Sequence, residues 1–148
     1  MRTGLMTFPP IEEILPHRSP LLLLEEVLIW EGERIECSAT LPPGAPFVHG
    51  DYAAGIVMLE HMAQGAAAFA GMLARERGEK IRIGFLVAVR EMDLTRDRVR
   101  VGSRLLVDAV RVWGDAKLGH FRCSVREHDR VCARAALSVV REDVGGEG

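Results

Sequence analysis

"PFVHGDYAAGIVMLEHMAQGAAAFAGMLAR", residues 46–75, decides the fold. From Ala53 to Ala74 the stretch is almost wholly small or apolar. It is too long for one strand and rich in Ala, Met and Leu, so it reads as a long helix. Asp51 is the candidate N-cap, because an aspartate can accept from the free amides of a first helical turn. "ERGEK", residues 76–80, is a polar stop with Gly78 near the helix end. A helix apolar nearly all round must be covered on most of its surface.

The flanks supply the cover. "PPIEEILPHR", residues 9–18, reads as a short helical turn with Ile11, Ile14 and Leu15 on one side, and Pro16 ends it. "LLLLEEVLIW" (21–30) and "RIECSATL" (34–41) are β-leaning runs around an "EGE" hairpin turn, and "PPGAP" (42–46) is a loop. After the helix come "IRIGFLVAVREMDL", "RVGSRLLVDAVRVW", "KLGHFRCSVRE" and "RVCARAALSVV", all strand-like, with "WGDAK" and "EHDR" as turns between the last three. Phe121, Cys123 and Val125 alternate with Arg122, Ser124 and Arg126, the pattern of a sheet with one buried face. Six strands joined by short turns imply an antiparallel sheet. The class is α+β: a curved six-stranded sheet wrapped around one long central helix, in a single domain over residues 1–148, with the tail 142–148 expected to be disordered. One sheet leaves part of the helix and a sheet edge uncovered, so self-association is expected.

Composition narrows the chemistry. The 148 residues are 48% hydrophobic and 27% charged, which suits a soluble globular protein. The net charge of −2 offers no basic surplus for nucleic acid or an anionic membrane. The oily stretch is about as long as a membrane span, but Glu60, His61 and Gln64 stand in its middle, where lipid disfavours them. The N-terminus has no apolar run before its charges and prolines, so it does not read as a secretory signal. Cys37, Cys123 and Cys132 lack metal or disulfide spacing and read as reduced thiols, in keeping with a cytoplasmic protein.

The polar residues of the helix are candidates for function. Glu60 and Gln64 are four apart and share a helical face. A buried glutamate must be paired, neutralised or placed at a cavity, and burial suits it to general-acid work. A half-exposed helix with Glu60 in water fits the pattern equally well. His49 precedes the helix beside Gly50, either in solvent or at a ligand. His61 points about a quarter-turn from Glu60 and reads as structural or as a subunit contact. His17 reads as packing between Pro16 and Pro20, and His120 and His128 carry no partner signal. Gly55 opens the helix, where free amides can hold a carbonyl oxygen or an anion. No metal spacing, phosphate loop or nucleophile elbow is present.

These pieces resemble the hot-dog-fold 3-hydroxyacyl-(acyl-carrier-protein) dehydratases. "ILPHRSPLLLLEEVL" resembles the family's N-terminal "LPHR-P-LL-D-V" signature, and "GIVMLEHMAQGAAAFAG" its "G-(V/L)-x-x-x-E-x-MAQ" helix. "IGFLVAVREMDL" and "RVGSRLLVDAVRV" resemble the strands that follow, so the likeness spans roughly residues 11–140. The resemblance implies that Glu60, five after Gly55, is the catalytic acid and that His49 is the base. It implies that the Gly55 amide polarises the thioester carbonyl and that Gln64 holds the carboxyl. Val57, Met58 and Met62 would help to line an acyl tunnel. The His49-to-Glu60 separation of 11 is three shorter than the family's usual spacing, which resembles the divergent branch of aryl-polyene pigment synthesis. The implied reaction is loss of water from a 3-hydroxyacyl thioester to give the trans-2-enoyl thioester, without cofactor or metal. The implied partners are an acyl-carrier protein or other acyl thioester and a second hot-dog subunit, in a homodimer, a higher homo-oligomer or a pair with a different subunit. No nucleic acid or membrane partner is implied.

Two other readings stay open at this point. "VHGD" followed by Glu60 is also similar to hot-dog thioesterases, whose carboxylate activates water. A non-catalytic hot-dog subunit that binds acyl chains or pairs with an active partner would also tolerate the short loop. Arg75, Arg77, Lys80, Arg82 and Arg90 could meet an acidic carrier, or form a solvated rim.

Overall fold

The alternation around Cys123 builds the middle of a sheet. In the computed structural model, which describes residues 7–115 and 117–141, Phe121, Cys123 and Val125 are buried and their neighbours face outward. They lie on β8 (Leu118–Glu127), between β7 (Leu105–Gly114) and β9 (Arg130–Arg141). With β1 (Leu24–Glu31), β2 (Arg34–Ala39) and β5 (Gly84–Leu94), the order is β1-β2-β7-β8-β9-β5, and every neighbouring pair is antiparallel. The "EGE" turn joins β1 to β2 with Gly32 at φ 57°, a conformation glycine adopts without steric cost. His128 sits at φ 56° in the two-residue turn between β8 and β9, so it serves a turn.

Helix α1 (Val57–Glu76) lies across β1, β2, β7, β8 and β9. Met58, Met62 and Phe69 enter the core against Ile35, Cys37, Val107 and Val125. Phe69 meets Phe121 edge-on at 5.5 Å and Trp30 at 5.0 Å. Each such side chain contributes about 1.5–3 kcal/mol by leaving water. Gly71 lets the turn at residues 11–15 lie directly on α1, because a Cβ there would collide with the Ile14 carbonyl. The three thiols are free and buried, and burial pushes Cys37 and Cys123 up to about 12, which makes them poor nucleophiles.

Three features depart from the sequence reading. A second sheet, β3 (Val48–His49), β4 (Tyr52–Ala54) and β6 (Arg98–Arg100), stands ahead of the helix in the order β3-β4-β6. Asp51 is therefore in the tight turn between β3 and β4, not at the helix cap. Its carbonyl accepts from the Val101 amide at 2.8 Å, and the residue before α1 is Ile56, which provides no side-chain cap. The run "RVGSRLLVDAVRVW" also divides: Gly102 turns at φ 84°, which sends Arg100 to the small sheet and Leu105 to the large one. The tail 142–148 lies outside the described residues.

The cover over α1 is incomplete. Glu60, Ala63 and Ala67 are only half-buried and Ala70 is exposed, a stripe along one helical face. The two edges of the large sheet differ. β1 presents Glu25, Glu26 and Glu31 outward, whereas β5 exposes Phe85 (52%) and Val87 (57%).

Candidate active site

Glu60 lies in the first turn of α1, where the helix dipole favours a carboxylate. Its side chain is 40% exposed. One turn on, Gln64 is fully buried and makes three hydrogen bonds. Its Oε1 accepts from the Leu23 amide at 2.9 Å, and its Nε2 donates to the Leu21 carbonyl at 2.8 Å and to Glu60 Oε2 at 2.9 Å. Gln64 thus ties the leucine run to the helix and fixes one oxygen of Glu60.

The residue beside that oxygen is His17, which the sequence reading placed in plain packing. Its Nε2 lies 3.9 Å from Glu60 Oε2. The Arg18 guanidinium holds this loop in place by donating to the carbonyls of Leu15, His17 and Glu12. Desolvation lowers the His17 pKa, with Glu60 opposing and Arg18 reinforcing, so the ring is neutral near pH 7. The pairing joins residues 43 apart, and no local spacing reveals it. The available signal was that His17 lies in the "LPHR" half of the resemblance.

His49 is elsewhere. It is exposed at the end of the two-residue β3, and its side chain makes no hydrogen bond or ion pair among the described residues. The Gly55 amide donates to the Asp97 carbonyl at 2.7 Å, so it is not free for a substrate oxygen. Gly55 is needed for close approach, since a Cβ would strike the Arg96 carbonyl. The amides without acceptors among the described residues are the next two, of Ile56 and Val57. Val57 and Met58, expected to touch substrate, are core residues at 3% and 0% exposure, and Met62 is also at 0%. His61 is structural: its ring nitrogens meet the carbonyls of Thr40 at 2.9 Å and Val57 at 3.3 Å, and burial lowers its pKa.

Small residues leave space where the expected tunnel residues do not. One cavity is lined by Pro16, His17, Ala67, Arg82, Ile83 and Gly84. A second opens between the C-terminal half of α1 and the sheet, with Ala66, Ala70, Gly71, Phe69, Phe121 and Val139 among its walls. The two share Ala67, Arg82 and Gly84. By helical rise, Ala67 stands about 10 Å and Leu73 about 20 Å along α1 from Glu60. Arg77, Lys80, Arg111, Lys117 and Arg141 also line the second cavity, while Arg75 pairs with Glu13 at 2.8 Å. Among the described residues, no three His, Cys, Asp or Glu side chains gather as a metal site, and no helix is long and apolar enough to cross a membrane.

A long helix wrapped by an antiparallel sheet, with an acid in its first turn, defines the class: an α+β hot-dog protein. Solved structures show the same fold. The Dehydratase Heterocomplex ApeI:P from Xenorhabdus doucetiae superposes with TM-score 0.87 at 24% identity, covering 94% of this chain and 95% of that one. A hypothetical thioesterase with coenzyme A from Streptococcus pneumoniae gives TM-score 0.59 at 8% identity, over 79% and 84% of the two chains, and shares the fold alone. The family described as the ApeP dehydratase matches residues 9–146, and the chain belongs to this ApeP-like family of dehydratases. Relatives include the 3-hydroxyacyl-[acyl-carrier-protein] dehydratase FabZ of Ralstonia nicotianae, 29% identical over 90% of this chain and 85% of that protein. The FabZ of Oceanobacillus iheyensis is 30% identical over 74% and 81%. The family match decides against the thioesterase reading of "VHGD".

Proposed function

We propose that the protein removes water from 3-hydroxyacyl thioesters borne on acyl-carrier protein, in fatty-acid or polyene-type synthesis, at a site completed by a second hot-dog subunit. One observation carries this: Glu60 is anchored at one oxygen and half-open beside His17, which lines a cavity, while the His49 side chain has no partner among the described residues. In this reading His49 of one subunit takes a proton from C2, and the C–H electron pair becomes the C2=C3 bond. The C3–O bond breaks, and the departing oxygen takes a proton from Glu60 of the other subunit. The amides of Ile56 and Val57 supply the oxyanion donors that Gly55 does not.

The exposed β5 edge is the surface through which a second copy would join, because its first half, Gly84 to Val89, is apolar and uncharged, and such an edge calls for a partner strand. A different hot-dog chain is the alternative partner. The two adjoining cavities, which share Ala67, Arg82 and Gly84, offer the acyl chain a path from His17 past Ala67 toward Phe121, and the cations around the second one suit an anionic carrier. These features fit a homodimeric enzyme, and the free, buried thiols suit a cytoplasmic one. Incubation with a 3-hydroxybutanoyl thioester tests the reaction: enoyl thioester should accumulate with the thioester intact, whereas release of free thiol would contradict it.

A further inference from the structure

The orphaned nitrogen of His17 carries a further step, which rests on the dehydration reading above. Nδ1 of His17 is buried and has no hydrogen-bond partner among the described residues. A neutral imidazole holds one N–H and one lone pair. Burying the N–H at Nδ1 without an acceptor is costly, because the donor forfeits its bond to water. The lone pair therefore belongs at Nδ1, and the proton at Nε2, which faces Glu60. At 3.9 Å, Nε2 and Glu60 Oε2 are too far apart to bond each other. They are close enough for a single oxygen to lie about 2.8 Å from both. His17 also lines the cavity that leads toward the acyl path.

We propose that His17 is a catalytic residue: its Nε2–H donates to the hydroxyl that leaves C3, while Glu60 supplies the proton. As the C3–O bond breaks, negative charge gathers on the oxygen between the two groups. His17 stabilises that charge and keeps its own proton. The atoms balance without it, so its contribution is to rate.

His17→Leu removes the donor. In the assembled enzyme kcat should fall about 10²-fold with KM changed less than about threefold. His17→Gln, whose amide N–H reaches about as far as Nε2, should recover most of that loss. A 3-chloroacyl thioester gives the decisive contrast, since chloride leaves without a donor; on it His17→Leu should approach wild type. A purely structural role would depress both substrates equally, and that result, or full activity of His17→Leu on the hydroxyl substrate, overturns the inference. If the leucine variant does not fold, His17→Phe keeps a ring without the donor and takes its place. Glu60→Gln separates the failures: if it is inactive while His17→Leu is fully active, only the role of His17 falls. If both are fully active, the dehydration site itself is misplaced.

Discussion

Glu60 and His49 are the proposed acid and base of one reaction, and the chain treats them differently. Glu60 is on a 20-residue helix, with Gln64 on one oxygen and His17 facing it. His49 is on a two-residue strand of a three-stranded sheet, exposed and without a partner among the described residues. A catalytic group must be held closely by its surroundings to be productive. In the proposed reaction the acid half is therefore prebuilt within one chain, and the base half awaits a second subunit.

The sharpest break in that contrast is at Glu60 itself. Glu60→Gln should lower kcat about 10³-fold and leave the fold unchanged, as read by turnover and circular dichroism. His49→Ala should lower kcat by a similar factor but barely shift the melting temperature, because its side chain packs against little. Next comes β5. Val87→Arg puts a charge on the apolar edge, and sedimentation should show smaller particles with activity reduced more than tenfold. A variant that stays assembled and active would remove β5 from the interface. Gln64→Leu has a smaller catalytic effect but a larger structural one. It leaves the Leu23 amide and Leu21 carbonyl unpaired, which should cost about 1–3 kcal/mol in urea unfolding.

The smallest effect is in pH. His17 and His61 have lowered pKa values in the fold, because burial disfavours their charged forms. As pH falls through about 6.5, the unfolded chain takes up protons that the folded chain resists, so stability present above that pH is lost below it. Unfolding midpoints at pH 7.5 and 5.5 should show the loss, and His17→Gln should make the slope shallower.

The helix and the six long strands were legible because period and length speak over ten or more residues. β3, β4 and β6 are two or three residues each, too short to show alternation. Asp51 misled because an aspartate ahead of an apolar run looks alike in a hairpin turn and at a helix cap. Glu60 and Gln64 could be paired from their spacing. The role of Gly55 could not, since its amide bonds to Asp97, a residue 42 positions away. The tunnel role of Val57 and Met58 came from the resemblance; on a helix apolar nearly all round, only the sheet's position shows which face is sealed. The space lies instead where Ala67, Gly84 and Gly119 lack bulk, and absence of side chain is a weak signal in sequence.

The central claim is that acid and base come from different subunits. Inactive Glu60→Gln protein and inactive His49→Ala protein can be mixed, dissociated and reassembled together. A mixed pair then holds one intact site, with His49 from the first chain and Glu60 from the second. Activity should return toward about half that of a wild-type pair for each mixed pair formed. If the mixture stays as inactive as its components although mixed pairs are present, the two groups do not meet across subunits.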